Sequence, residues 1–236
     1  MSDRAPQNTP ATDSTDSTNS ADSMDSAGSV SEKPSVLRFD QQVIASWITP
    51  GSRVLDLGCG DGTLLGHLVR EKGVRANGIE LDEAKTARCI AKGLSVVQGN
   101  VDDELIHYPD NAFEYVIVGQ TLQQVHSPEA VVRQLLRVGK RGILSFPNFG
   151  YWRVRLQAMF SGRAPRTREL PYEWYSTPNI RVLTLDDFRH FTREIPCRLV
   201  REEALIMSEG TLPPRRVRLF PNLRASYGVV MVERAV

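Results

Sequence analysis

Residues 53–63 read Arg53-Val54-Leu55-Asp56-Leu57-Gly58-Cys59-Gly60-Asp61-Gly62-Thr63, an apolar strand running straight into a bend with glycine at every second position. The pattern predicts a strand over Arg53–Leu57 and a helix over Thr63–Lys72, closed by Gly73. Glycine takes positive φ and leaves no Cβ between the backbone and a ligand. A bend of this kind, at the carboxyl end of a first strand, is where open α/β sheets bind small molecules.

Working outward, strands and helices alternate. Upstream, residues 39–48 predict an amphipathic helix with Phe39, Val43, Ile44 and Trp47 on one face. Downstream come strands over Arg75–Glu80, Ser95–Gln98, 113–118 and 142–146, with helices over 82–92 and Pro128–Val138 between them. Thr184-x-x-Asp187 starts a helix running to about Glu194. Strands over 198–207 and 226–232 follow. Alternation of this kind implies a mainly parallel, Rossmann-like α/β sheet with right-handed crossovers. Seven strands are expected, the last two forming an antiparallel edge hairpin through 208–225. Residues 147–183 fit no helix–strand slot; with Tyr151, Trp152, Tyr172, Trp174 and Tyr175 they are expected to cap the site. Residues 34–236 thus form one domain. Residues 1–33 form a Ser/Asp-rich tail with serine at every third position from Ser14 to Ser29, too poor in apolar side chains to offset the entropy of ordering.

Three strand ends carry the binding signal. In the dinucleotide fingerprint a third glycine stands three positions after the second; here it comes one position early, at Gly62, and Thr63 stands in its place. Asp56 would repel a diphosphate and attract the ammonium of an amino acid. Glu80, in Gly78-Ile79-Glu80-Leu81-Asp82, can accept hydrogen bonds from both hydroxyls of a ribose. In Gln98-Gly99-Asn100-Val101-Asp102 a side chain can meet an adenine amino group while backbone amides meet the ring nitrogens. An amino acid joined to a nucleoside is S-adenosylmethionine, which these residues favour over NAD. The site expected is Asp56, Gly58, Cys59, Gly60, Glu80, Leu81, Asn100, Val101 and Gln120.

Composition narrows the classes. Hydrophobic residues make up 41% and charged residues 24% of the 236, ordinary for a soluble globular chain, and no stretch nears the roughly 20 apolar residues of a membrane span. No secretory signal opens the sequence. Cys59, Cys89 and Cys197 lack metal-ligand spacing and read as reduced thiols of a cytoplasmic protein, with no metal site. From Gly150 onward fifteen arginines face nine acids with no lysine. Such a surface suits an acidic partner or a plain solvated face; without interleaved basic and aromatic runs it argues against nucleic acid.

The segment from Arg53 to about Asp187 resembles the class I S-adenosylmethionine-dependent methyltransferases, and more narrowly the methionine biosynthesis protein MetW family. The likeness rests on residues 53–63 and on Gln120-Thr-Leu-Gln-Gln-Val-His126. It also rests on Ser145-Phe-Pro-Asn-Phe-Gly150 with Trp152-Arg-Val-Arg155, and on Leu170-Pro-Tyr-Glu-Trp-Tyr175 with Thr177-Pro-Asn179. The resemblance implies a cytoplasmic protein of methionine biosynthesis that acts with homoserine O-acetyltransferase. Asn100 stands where the family usually has aspartate, which implies weaker adenine binding, and Arg181 where histidine often follows Thr-Pro-Asn-Ile.

Methyl transfer from a sulfonium needs orientation and desolvation, and a base only if the acceptor must lose a proton. Candidates for the mouth of the site are Gln120, Gln124, His126 and Asn148; His126 is the one plausible base, but its place before Ser127-Pro128 at a helix entrance favours a plain surface histidine. No nucleophile–base pair is visible, so catalytic residues stay unassigned. Two readings stand: a noncatalytic ligand-binding subunit beside an acyltransferase, and an active small-molecule methyltransferase of unknown acceptor.

Overall fold

A computed structural model describes residues 36–167, 170–207 and 213–235; the serine-rich tail lies outside the described residues. In chain order the elements are α1 (Phe39–Trp47), β1 (Arg53–Leu57), α2 (Thr63–Lys72), β2 (Arg75–Glu80), α3 (Glu83–Ala91), β3 (Ser95–Gln98), α4 (Val101–Glu104) and β4 (Phe113–Gly119). They continue with α5 (Pro128–Val138), β5 (Gly139–Pro147), α6 (Trp152–Ser161), α7 (Leu185–Glu194), β6 (Cys197–Ile206), β7 (Arg215–Val217), α8 (Pro221–Arg224) and β8 (Tyr227–Arg234).

The strands form one sheet in the order β3-β2-β1-β4-β5-β8-β6-β7. β1 pairs in parallel with β2 and β4, β2 with β3, and β4 with β5. β8 runs antiparallel to both β5 and β6. The order reverses between β1 and β4, so the chain leaves their carboxyl ends in opposite directions and a crevice opens there.

Alternation of side chains puts one set of strand residues on each face. Leu55, Leu57, Val116 and Val118 pack with Val132, Leu135 and Leu136 of α5 and Phe188 of α7. Val54, Tyr115 and Ile117 pack with Val43, Ile44 and Trp47 of α1 and Leu64 and Leu68 of α2. The result is the three-layer α/β arrangement expected. The carbonyls of Ala45 and Ile48 at the end of α1 accept from the Lys72 ammonium at the end of α2, which supplies the cation that α1 lacks in its own last turn. At α7, Thr184 Oγ1 accepts from Asp187 N at 3.0 Å while Asp187 Oδ2 accepts from Thr184 N at 3.0 Å, the capping box read from sequence.

Two expectations need correction. The sheet has eight strands, not seven: the three-residue β7 adds along the outer side of β6, whose polar backbone groups would otherwise stand unpaired. The antiparallel pairing of the two long final strands, β6 and β8, is as expected, with β8 between β5 and β6; its first six residues are all buried, the continuous apolar run of an interior strand. The second correction is that residues 147–183 contain α6, which has a single buried residue, Val154, and therefore no core-facing periodicity to announce it.

Candidate functional site

The glycine bend after β1 alternates left-handed turns, with φ of 72° at Gly58, 62° at Gly60 and 75° at Gly62, which also caps α2. A Cβ at Gly58 would collide with Thr121 Oγ1, which donates to Leu57 O at 3.2 Å. At Gly60 a Cβ would meet nothing within 4 Å: the bare backbone faces open space. The bend is tied to β2 from below, since Gly58 N and Cys59 N both donate to Ile79 O, at 2.8 and 3.2 Å.

Glu80 is the hinge of this arrangement. It is buried at 7% exposure; its Oε2 accepts from Gly60 N at 2.7 Å and its Oε1 from Asp82 N at 3.1 Å. One carboxylate thus fixes the loop after β1 against the loop after β2, and each oxygen keeps a further lone pair. Gly99 N donates to Glu80 O at 3.0 Å, drawing in the loop after β3 as well.

Beneath the bend lies Asp56, 3% exposed. Burial, with the nearby Glu80 charge, pushes its carboxyl up to about 7, against the opposing pull of Arg38. Burial, reinforced by the Asp56 charge, lifts the Cys59 thiol far above its usual range, so it stays protonated and is no nucleophile.

A second polar cluster closes the other side. Asp40, fully buried in the first turn of α1, accepts from Arg38 Nε at 3.1 Å, Arg38 Nη2 at 3.2 Å, Gln120 Nε2 at 3.1 Å and Ser145 Oγ at 3.3 Å. Gln120 follows β4 with φ of 58°, a left-handed conformation that costs a non-glycine residue on the order of 1 kcal/mol and gathers at functional sites. Its carbonyl accepts from Gln123 Nε2 and Gln124 Nε2 at 2.8 and 2.9 Å, which holds the strained turn.

These groups surround a cleft of about 570 Å³ at the switch point between β1 and β4. Of the nine residues expected, Gly58, Gly60, Glu80, Leu81, Asn100, Val101 and Gln120 line it; Asp56 and Cys59 lie behind the bend and do not. Asn100 Oδ1 accepts from Asp102 N at 3.1 Å and so caps α4. Asp102, at the same wall, has one oxygen, Oδ1, that is buried with no hydrogen-bond partner among the described residues. The sequence reading missed Arg38, Lys85 and Thr121, which also line the cleft. Arg38 stands next to the predicted α1, but nothing in its local pattern separates it from any solvated arginine.

The mouth follows expectation at Gln124 and His126 but not at Asn148 or most of the aromatics. Gln124 and His126 line the cleft, but His126 is 86% exposed, its Nδ1 3.8 Å from Asp102 Oδ2. Asn148 is structural: it donates to Asn222 O and Ala225 O at 2.8 Å and accepts from Gly150 N and Leu185 N. Of the five capping aromatics only Tyr172 lines the cleft, with Pro178 beside it. Tyr151 packs with Val154 and Leu170, while Trp152, Trp174 and Tyr175 are exposed. The segment beyond Pro178 is anchored by Ile180 N and Arg181 N, both donating to Gln123 O. Arg181 also donates to His126 O at 2.6 Å.

Among the described residues no group of three or more His, Cys, Asp or Glu could hold a metal ion, and no helix is long and apolar enough to cross a membrane.

Comparison with known proteins agrees with this geometry. Solved structures with the same fold include an S-adenosylmethionine-dependent methyltransferase from Archaeoglobus fulgidus, at a TM-score of 0.59 and 13% identity, covering 82% of this chain and 94% of that one. They also include the [4+2]-cyclase SpnF, at a TM-score of 0.57 and 17% identity, covering 83% and 80%. A Schizosaccharomyces pombe sterol 24-C-methyltransferase is 30% identical over 131 residues, 53% of this chain and 34% of its own. A bifunctional methionine biosynthesis protein MetXA/MetW from Rhodopirellula baltica is 32% identical over 208 residues, 84% of this chain and 33% of that protein. The chain thus spans about a third of the length of these curated relatives. The sequence profile of the methionine biosynthesis protein MetW matches residues 38–232, from the cleft arginine to the buried end of β8, and the chain belongs to that family.

Proposed function

We propose that the cleft binds S-adenosylmethionine and that the chain serves methionine biosynthesis in the cytoplasm as a ligand-binding subunit acting with homoserine O-acetyltransferase. The observation that carries the ligand is Glu80, a buried carboxylate held between Gly60 N and Asp82 N beside a glycine whose missing Cβ leaves room for a nucleoside. The remaining lone pairs of Glu80 suit the two ribose hydroxyls. The unpaired Asp102 Oδ1, together with Asn100, suits the adenine amino group. Arg38 offers a cation for the carboxylate of the amino-acid portion, and Asp56 an anion near its ammonium. The acyltransferase pairing is supported by the Rhodopirellula relative, one polypeptide named for both MetXA and MetW.

The second reading, an active methyltransferase, draws on the open mouth lined by Gln124, His126 and Tyr172. A bound sulfonium supplies its own leaving group, so the chain's task is to orient it and exclude water. His126, the base read from the sequence, is 86% exposed and so is not desolvated. Calorimetry with S-adenosylmethionine and with NAD, on the chain alone and with the acyltransferase, tests the ligand. Tight NAD uptake, or no nucleoside binding, overturns it. Release of S-adenosylhomocysteine with the acyltransferase present would favour the catalytic reading.

A further inference from the structure

Helix α6 is poorly supported by its own domain. It has ten residues, of which Val154 alone is buried, and isolated helices below about 12–15 residues are marginal in water. On the side opposite Val154 it exposes Trp152, Leu156, Met159 and Phe160, at 41, 39, 66 and 78%. At 3.6 residues per turn these four span an arc of about 100°, one continuous apolar stripe. Arg153 and Arg155 flank it on either side, and from Pro147 through Arg168 the chain has five arginines and no acid. On the flank of the helix beyond Phe160, beside Gln157 and Ser161, a hollow of about 700 Å³ is walled by Arg163, by Arg166 paired with Glu173, and by the exposed Trp174. Tryptophan and arginine around an apolar centre are the composition of interface hot spots, and the positive rim calls for acidic groups opposite.

We infer that the α6 stripe with Trp174 is the surface on which homoserine O-acetyltransferase docks, through an apolar groove with an acidic rim. This rests on the pairing proposed above. A membrane surface is the weaker occupant: lipid binding scales with buried apolar area and basic charge, and α6 offers one short stripe and two arginines.

The test uses the full chain and the purified acyltransferase, with a Met159→Glu/Phe160→Glu variant and, separately, Arg155→Glu. All three positions are exposed, and glutamate is a good helix former, so the fold is kept; circular dichroism and S-adenosylmethionine affinity, expected within about twofold of wild type, check this. The double variant should lose at least about thirtyfold in affinity for the acyltransferase, and Arg155→Glu about tenfold. If the wild type does not bind the acyltransferase, the pairing itself fails and this surface with it. If the wild type binds and the double variant binds equally well, the pairing stands and the surface is wrong. Loss of self-association, or of binding to phosphatidylglycerol vesicles, with acyltransferase affinity intact would likewise overturn it.

Discussion

At the level of single side chains, Glu80 and Asp56 have different duties although both are buried carboxylates at strand ends. Glu80 already accepts two backbone N–H groups, so Glu80→Ala should both weaken the loop and remove the ribose acceptor. Calorimetry should find about 1.5–3 kcal/mol of S-adenosylmethionine binding lost, and Glu80→Gln should retain part of it through its one remaining acceptor oxygen. Wild-type affinity in Glu80→Ala would show that ligand does not reach the end of β2. Asp56 is a proton switch. Its folded pKa stands near 7 against about 3.9 in an unfolded chain, so across that window the folded state holds a proton that the unfolded state has released. Its contribution to stability is therefore full below about pH 4 and is lost as pH rises through 7. Denaturant titration of the ligand-free chain should show this group removing at most about 1.4 kcal/mol between pH 6 and 7, a slope absent from Asp56→Asn. A bound ammonium favours the ionised form, so ligand affinity should rise from pH 6 to 8 with proton release, and Asp56→Asn should flatten that rise. A flat wild-type profile would separate Asp56 from the ligand.

Among the elements, the glycine bend is the one most tightly specified. Gly58→Ala meets two penalties together, a left-handed φ and the Thr121 hydroxyl, and should lower stability by about 1–3 kcal/mol. Gly60→Ala meets only the first; its methyl group enters the cleft, so ligand binding should fall more than thermal stability does. A loss of stability at Gly60 equal to that at Gly58 would place the bend differently. Thr184→Ala, which removes the capping box of α7, should cost about 1 kcal/mol without touching the cleft. These devices were legible in the sequence because each is local: glycine spacing, a Thr-x-x-Asp cap, an apolar strand. The helices α2 and α5 and the strands β1 to β3 follow from the same kind of signal. What stayed hidden is non-local. β7 exists because β6 offers an edge, and Arg215–Val217 has no alternation of its own to show it. α6 is helical without a core-facing stripe, since its apolar side points outward. Arg38 reaches the cleft, with Asp40 buried behind it, because α1 packs where β4 and β5 end, and Asp40 accepts from Ser145, 105 residues away. Asp56, expected to bind the ligand, is buried beneath the bend and is not among the residues lining the cleft, so its depth could not be read from the local pattern.

For the molecule as a whole, one segment links the cleft to the exposed face of α6. Residues 170–181 place Tyr172 and Pro178 on the cleft wall and Trp174 on the hollow beside α6. The segment is pinned at one end by Arg166, which pairs with Glu173 at 2.5 Å and donates to Pro171 O at 3.1 Å, and at the other by Ile180 and Arg181 on Gln123. The carbonyl of Gln120 holds Gln123, and Gln120 itself lines the cleft. A ligand that presses on Gln120 or Tyr172 therefore acts on the same short segment that presents Trp174. Coupling requires that ligand favour one arrangement of this segment, since equal affinity for two arrangements shifts nothing. S-adenosylmethionine is made from methionine, so such coupling would let the end product set how firmly an earlier enzyme of the route is held. Affinity for homoserine O-acetyltransferase, measured with and without saturating S-adenosylmethionine, should differ by about 5–150-fold, and linkage demands that the acyltransferase change ligand affinity by the same factor. Tyr172→Ala should shrink that factor while leaving each separate affinity closer to wild type than Glu80→Ala or Met159→Glu/Phe160→Glu leaves its own. Equal acyltransferase affinity in the two conditions would leave two independent sites on one fold, and the segment between them a passive wall.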